Sequence, residues 1–534
     1  MVLLQEEKPL WSSKETFILA GLLMAALAVR LPHLMAAYVI NPDAIDYIES
    51  AKALAMGKWR EGFEASHVSI FPVLIALVQP LLGDWIWSAR LIPVCFGLLT
   101  VAPLYLVSRK ILSLPWSAVP PVLYCLCPSL THYSTDVIRE PISWFLMLTG
   151  LWALLKARES GRPLMYALAG TMFLLGAANR LDGLVGLGLV LAWIVGTELR
   201  KGPLTGAIKK LSFFILPSLA ALSAALIVWG GSLRQNDLPD FKNYRRQIQF
   251  SLQGPNPRQE AKIGAILEGI PQPRLRNFFS AAWDNRHALA ALELFRHWVK
   301  AAHPALLALS LLGLFSFKRW KGLDFWWLLA LLMAAWLVLG YLRLLGAFAI
   351  SKRHLGPAVL CGYFFASLGL FQAWTWVRQK AWPWFPKSLP ILVICLLGVS
   401  TLPWTLRPQR EEKLVRRLAG EWIRIHGFQQ PLVASQHQAV AFYAGGSWLP
   451  IRDLFRNWDL LPDLLVVEKE SPPLEELKEA LEREGIGLEL LQEISHADNT
   501  ALLIYRLKPP PGSSGLKGAA GQGLSLKEAV QPKR

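Results

Sequence analysis

Charge is scarce in this 534-residue chain: Asp, Glu, Lys and Arg together make up 17% of it, against roughly 25% in soluble domains. With 53% hydrophobic residues, gathered into long uninterrupted blocks, the composition excludes an ordinary water-soluble globule. Acids are scarcer than bases, 38 against 55, for a net charge of +17. In a nucleic-acid binder such an excess would gather into one basic face. Here the basic residues punctuate the apolar blocks instead, so no nucleic-acid partner is expected. Cysteine is also rare. Cys95, Cys125, Cys127, Cys361 and Cys395 all lie inside apolar stretches, which excludes a disulfide framework and a four-thiolate zinc site. No internal repeat is visible.

What is present is a series of membrane spans. A bilayer core of roughly 30 Å needs about 20 apolar residues per helix. Blocks near that length occupy 16–36, 90–108, 116–131, 141–156, 163–179, 183–199, 211–230, 303–317, 325–345, 355–376 and 388–406, eleven in all. The leader MVLLQEEKPLWSSKE carries more acid than base, so the first block is expected to remain as an uncleaved helix. The run SIFPVLIALVQPLL (69–82) is short and contains Pro72 and Pro80, which suits an interfacial or re-entrant helix. Charge supports that choice. With 69–82 not spanning and the N-terminus inside, all five inner loops are basic: Arg109/Lys110, Lys156/Arg158/Arg162, Arg200/Lys201/Lys209/Lys210, Lys318/Arg319/Lys321 and Arg378/Lys380/Lys387.

The expected architecture is therefore an α-helical polytopic membrane module over 1–407 with outer loops at 37–89, 132–140 and 231–302. A small outer α/β domain (408–508) and a disordered tail (509–534) follow. The small domain opens with an amphipathic helix, REEKLVRRLAGEWIRIHG, whose apolar face is read as Leu414, Leu418 and Trp422, stopped by Gly427. Strand-like runs PLVAS, LLVVEK and ALLIYRLK surround a charged helix, PLEELKEALEREG. The 231–302 loop is long enough for a lid or binding segment, and its KNYRRQ reads equally as a headgroup contact or as a solvated surface.

Outer loops should be poor in Arg and Lys near the membrane, yet Arg90, Arg139, Arg180, Arg343, Lys352 and Arg353 fall at outer helix ends. Each alone reads as a snorkelling side chain; together they suggest an anionic ligand. Acids on the same side are Asp43, Asp46, Glu49, Asp136, Glu140 and Asp182. Asp43 opens NPDAIDYIESAKALAMGKW, in which Ile45, Ile48, Ala51 and Ala55 form a stripe opposite Asp46, Glu49 and Lys52. Following Asn41 and Pro42, Asp43 reads equally well as a helix N-cap. Cations beside carboxylates at an outer interface suit sugar transfer from a polyprenyl phosphate. The phosphate leaves without a protonating acid, so one carboxylate base and several cations suffice.

From Asp43 to Trp59 the sequence resembles the first-loop motif of the C-type glycosyltransferase superfamily, in the bacterial branch related to protein O-mannosyltransferases and to the lipid A aminoarabinose transferase. Further matches follow in order: Gly83 with Ala89, Arg90 and Leu91; Arg139, Glu140 and Pro141; Arg180, Asp182 and Gly183; Ser351, Lys352, Arg353, His354 and Pro357. The FYAGG segment (442–446) is similar to tails in that group.

The resemblance implies an inverting enzyme of the bacterial inner membrane, with its loops and outer domain facing the periplasm. The donor would be a polyprenyl-phosphate sugar, the acceptor a lipid, another glycan or a protein, and membrane lipids its surroundings. Asp43 matches the catalytic base. Many members carry Glu directly after it; this chain has Ala44, so a second acid's role is vacant or passes to Asp46, with Asp136 and Glu140 as the remaining catalytic acids. Arg353, Lys352, Arg180, Arg139 and Arg90 are the expected phosphate ligands, and Tyr47, Asp182 and His354 the expected substrate contacts. No cofactor is required; a divalent metal is compatible with this chemistry but not predicted. His67, His132 and His354 show no pair at helical ligand spacing. The alternative function is a transporter or flippase of lipid-linked sugars, which usually shows repeated halves and interrupted helices.

Overall fold

The structure, a computed structural model, describes residues 12–65, 69–230, 257–316, 324–379, 389–454, 461–470, 473–496 and 501–508. His67, the KNYRRQ stretch and the 509–534 tail lie outside the described residues. The chain forms two compact units, one of residues 1–33 with 46–407 and one of residues 34–45 with 408–534.

The larger unit is helical. Its elements are α1 (Ser13–Met35), α2 (Pro42–Ala55), α3 (Trp59–Ala65), α4 (Ile70–Leu82), α5 (Trp85–Leu99), α6 (Val101–Ile111), α7 (Val119–Leu126), α8 (Pro128–Ser134), α9 (Glu140–Ser160), α10 (Pro163–Asn179), α11 (Gly183–Leu199), α12 (Leu204–Gly230), α13 (Pro257–Glu268), α14 (Pro273–Asp284), α15 (Arg286–Ala302), α16 (Pro304–Leu314), α17 (Asp324–Ala347), α18 (Gly356–Gln379) and α19 (Leu389–Leu406). Residues 34–35 and the first turn of α2 group with the smaller unit. Helices occupy most of the described residues of each of the eleven expected blocks, with 90–108 divided at Thr100 and 116–131 at Cys127, and the 69–82 run is a helix of only 13 residues, bounded by Ser69 and Gly83. Part of the expected outer loop, 257–302, is itself helical as α13 to α15.

Among the described residues, five helical stretches are both long and apolar enough to cross a bilayer, and several shorter apolar helices accompany them. Large apolar side chains such as Phe17, Leu216, Ile391 and Val399 point outward, which is stable only where lipid is the solvent. The interior is organised on α18, whose residues from Gly356 to Leu370 are all buried. Glycine sets one close crossing. A Cβ on Gly313 would lie 1.9 Å from Phe365 O, and one on Gly369 would lie 2.1 Å from Leu309 O, so α16 and α18 approach backbone to backbone.

The smaller unit contains α20 (Leu414–Ile425), β1 (Leu432–Ser435), α21 (Gln438–Ala444), β2 (Ser447–Pro450), α22 (Ile451–Leu454), β3 (Leu464–Glu468), α23 (Pro473–Arg483), β4 (Gly487–Ser495) and β5 (Ala501–Lys508). The strands form one sheet in the order β2-β1-β3-β5-β4. β1 runs parallel to β2 and β3, whereas β5 is antiparallel to β3 and β4. Alternation along the strands sends Leu465, Val467 and Leu503 to one face, under Leu474, Leu477 and Leu481 of α23. Leu464, Val466 and Ile504 go to the other, under α20 and α21.

Three strand-like runs in the sequence are β1, β3 and β5. The other two strands escaped because β2 has four residues and β4 is an edge strand, spaced with Glu489 and Glu493, which needs no continuous apolar run. The expected face of α20 is corrected. Its buried residues are Val415, Ala419, Gly420 and Ile423, one position along from Leu414, Leu418 and Trp422. Gly420 explains the rotation, since a Cβ there would lie 2.5 Å from Val440 O on α21.

Candidate active site

Three chain reversals in the larger unit place its candidate residues. Arg139 precedes α9, and Glu140 is the first residue of that helix. Arg180 and Asp182 occupy the turn between α10 and α11, closed by Gly183 N donating to Arg180 O at 2.9 Å. Arg353 and His354 sit in a short 3-10 turn, Lys352–Leu355, leading into α18. Asn179, fully buried, ties two of these together: its Nδ2 donates to Arg139 O at 2.9 Å and Ser143 Oγ at 2.8 Å, and its Oδ1 accepts from Ser69 Oγ at 2.9 Å.

These turns open onto a cleft that encloses about 500 Å³ with the adjoining open solvent included. Glu140, Arg180, Asp182, Arg353 and His354 line its polar side; Met147, Met172, Phe173, Trp336 and Pro357 line its apolar side. Arg180 Nε donates to Asp182 Oδ1 at 3.0 Å, and its Nη1 donates to Glu140 Oε1. Arg353 Nε lies 3.5 Å from the same Glu140 oxygen. Burial pushes the Asp182 carboxyl upward, but Arg180, with weaker help from Arg139 and Arg343, outweighs burial and holds it below the usual aspartate range. Glu140 Oε2 and Trp144 Nε1 are buried and make no hydrogen bond among the described residues. Two orphaned atoms of opposite character, one helical turn apart on a cleft wall, are a pair that a hydroxyl-bearing ligand can satisfy.

His354 is held by a capping box with Ser351, whose backbone N–H donates to His354 Nδ1 at 3.2 Å. The same Nδ1 lies 3.1 Å from Ser351 O, a contact that calls for the opposite tautomer, so the neutral ring fits this turn with its proton on either nitrogen.

The other expected residues stand apart from this lining. Arg90 Nη2 donates to His33 O at 2.9 Å, and its guanidinium lies over Trp87. Arg139 and Lys352 do not line the cleft. Asp136 is buried, and its Oδ1 accepts from Val137 N at 2.9 Å. Asp46 is exposed on α2, while Tyr47 is buried with its ring against Phe71. Asp43 belongs to the smaller unit, in the first turn of α2. The helix is capped by Asn41, whose Oδ1 accepts from Ala44 N at 2.8 Å, which removes capping as the explanation of Asp43.

Trp144, Trp336, Asn179 and Arg30 were not foreseen. Trp144 was legible, standing four residues after Glu140 and so on the same helix face. Arg30 is a charge inside the first apolar block, and such residues mark structural or functional need. It is fully buried, donating from Nε to Ser134 Oγ at 2.8 Å. Among the described residues no three His, Cys, Asp or Glu side chains are grouped to hold a metal ion.

Comparison of the sequence with models of known families and with curated proteins gives no match. Solved structures do match. The archaeal oligosaccharyltransferase AglB from Archaeoglobus fulgidus, in complex with an inhibitory peptide and a dolichol-phosphate, aligns over 90% of this chain and 73% of its own at 12% identity and TM-score 0.51. The oligosaccharyltransferase of the same organism, in complex with Zn and sulfate, aligns over 92% and 73% at 12% identity and TM-score 0.52. ArnT from Cupriavidus metallidurans, bound to undecaprenyl phosphate, aligns over 92% and 98% at 12% identity and TM-score 0.50. At such identity the likeness shows the fold alone, which this chain shares with those transferases.

Proposed function

We propose that the protein is an inverting glycosyltransferase that moves a sugar from a polyprenyl-phosphate donor to a lipid, glycan or protein acceptor at the periplasmic face of the bacterial inner membrane. The observation that carries this reading is the two-sided cleft, where Arg353, His354 and the orphaned atoms of Glu140 and Trp144 face an apolar wall of Met172, Phe173 and Trp336. Such a lining fits an amphipathic ligand with an anionic, hydroxyl-bearing head and a hydrocarbon tail. Arg353, with the His354 ring beside it in the lining, takes the phosphate; the orphaned atoms take sugar hydroxyls. Arg180 is committed to Asp182 and Glu140, so it acts by orienting Glu140. Asp43 takes the acceptor's proton as the new bond to the sugar forms, and the phosphate leaves as an anion stabilised by the cations. Solved neighbours carrying dolichol-phosphate and undecaprenyl phosphate support this donor class.

The test has two arms. Mass spectrometry of lipid A and envelope glycans from a deletion strain should show one sugar missing, which identifies donor and acceptor. Purified protein should then release undecaprenyl phosphate from one member of a panel carrying mannose, glucose or aminoarabinose. Arg353→Lys should already impair donor use, because a point charge cannot reproduce a forked guanidinium. Wild-type donor affinity and turnover in Arg353→Ala would reduce the residue to a structural cation.

A further inference from the structure

The segment just before Asp43 is neither helix nor strand, and its main chain is held at three consecutive residues by side chains. Tyr443 OH accepts from Ile40 N at 2.9 Å and donates to Tyr38 O at 3.2 Å. Arg417 Nη1 donates to the same Tyr38 O at 3.2 Å, and Arg410 Nη1 donates to Val39 O at 3.2 Å. All three side chains come from the C-terminal part of the smaller unit, the one to which residues 34–45 belong. They are fixed in turn. Arg417 Nε is paired with Glu421 Oε1 at 2.8 Å, and its guanidinium lies 5.7 Å from the Tyr443 ring centroid. Tyr443 is buried beneath α20, where a Cβ on Gly420 would meet its Cβ at 2.5 Å. Val39, Ile40 and Asn41 are buried as well, and Asn41 passes the constraint on by capping α2 one residue before Pro42.

We propose that Tyr443 and Arg417, assisted by Arg410, are positioning residues for transfer: they clamp the main chain of residues 38–40 and so fix where the Asp43 carboxylate stands. The inference rests on Asp43 being the base. A phenol that both accepts and donates does for Tyr38 and Ile40 what a neighbouring strand would do. Removing that hydroxyl leaves the ring packing intact but frees the main chain. Displacing a reacting group by about 1 Å from a distant site can cost roughly 10²-fold in rate.

The experiment compares wild type, Tyr443→Phe, Arg417→Gln, Asp43→Asn and the double variant Tyr443→Phe/Asp43→Asn, all full length in detergent. Amide exchange of residues 40–44 needs no substrate, and it should quicken roughly five- to tenfold in Tyr443→Phe. Turnover, read as undecaprenyl phosphate released from whichever panel donor the wild type uses, should fall about 10- to 100-fold at unchanged donor KM. In the Asp43→Asn background Tyr443→Phe should add no further loss. Unchanged exchange, or normal turnover in both clamp variants while Asp43→Asn is inactive, would overturn the clamp and leave the base standing. An equal loss in both backgrounds would also overturn it, by making the tyrosine a general structural residue. An active Asp43→Asn would instead remove the base itself.

Discussion

Glu140 and Arg158 belong to the same helix, α9, five turns apart, and their charges live under different conditions. Around Arg158 the ions are half-exposed or exposed and paired: Arg158 with Asp324 at 2.7 Å, Arg200 with Asp324 at 3.5 Å, and Lys110 with Glu159. Around Glu140 the central pair is buried, Glu140 at 4% and Arg180 at 10% exposure, while Asp182 and Arg353, which flank it, are half-buried. Charges at the first end satisfy themselves with modest pairs and water, as topology signals do. Glu140 and Arg180 at the second end have lost their water, so each needs a partner or a ligand. One helix thus carries charges of both kinds, and of these pairs only Glu140–Arg180 is desolvated.

The sharpest break would come from the base. Asp43→Asn should insert, extract and melt like wild type but lose about 10²- to 10⁴-fold in turnover, since an amide cannot accept the proton; Asp46→Asn should keep more activity. Near-normal turnover in Asp43→Asn, with loss in Asp46→Asn or Asp136→Asn, would move the base. Next comes the buried network. Arg180→Met strips the bridge from Asp182, and thermal or denaturant unfolding should report a loss of about 3–5 kcal/mol. A wild-type melting profile would mean the cleft is wetter than its burial indicates.

A smaller effect separates the ends by pH. Because Asp182 is held below the usual aspartate range by Arg180, its stabilising contribution is complete above the unfolded-state value of about 4 and is lost as pH falls through the lower folded value. Asp182→Asn should flatten that part of the acid unfolding curve; an unchanged acid limb would assign it elsewhere. The least effect belongs to the other end. Arg200, with its side chain 77% exposed, should change stability by no more than about 1 kcal/mol when replaced by Ala.

The apolar blocks of the spans and the order of the motifs were legible because bilayer thickness imposes block length on the sequence and because polar residues at helix ends stand out against it. Glu140, Arg180, Asp182, Arg353 and His354 were therefore found before the cleft was. The apolar wall was not, since Met172 or Trp336 in a lipid-facing block carries no mark that distinguishes lining from lipid contact. Capping by Asn41 rather than Asp43 was a choice between adjacent residues that only the Oδ1 to Ala44 bond could make. The face of α20 slipped by one position because Gly420, invisible to an apolar periodicity, lets the helix close on α21.

Tyr38 and Tyr443 are 405 residues apart in the chain. At a synthesis rate of roughly 5 to 20 residues per second, the tyrosine that holds the first loop leaves the ribosome on the order of 20 to 80 s after the loop it holds. The spans between them can enter the bilayer during that interval, each finding its lipid and its neighbours. The loop must wait for the last hundred residues before its main-chain groups are satisfied. Closure over such a separation is the slowest kind of contact to form, so the clamp reports the end of assembly. Maturation of the chain should therefore have a late step, after membrane insertion is complete, at which the Asp43 segment becomes ordered.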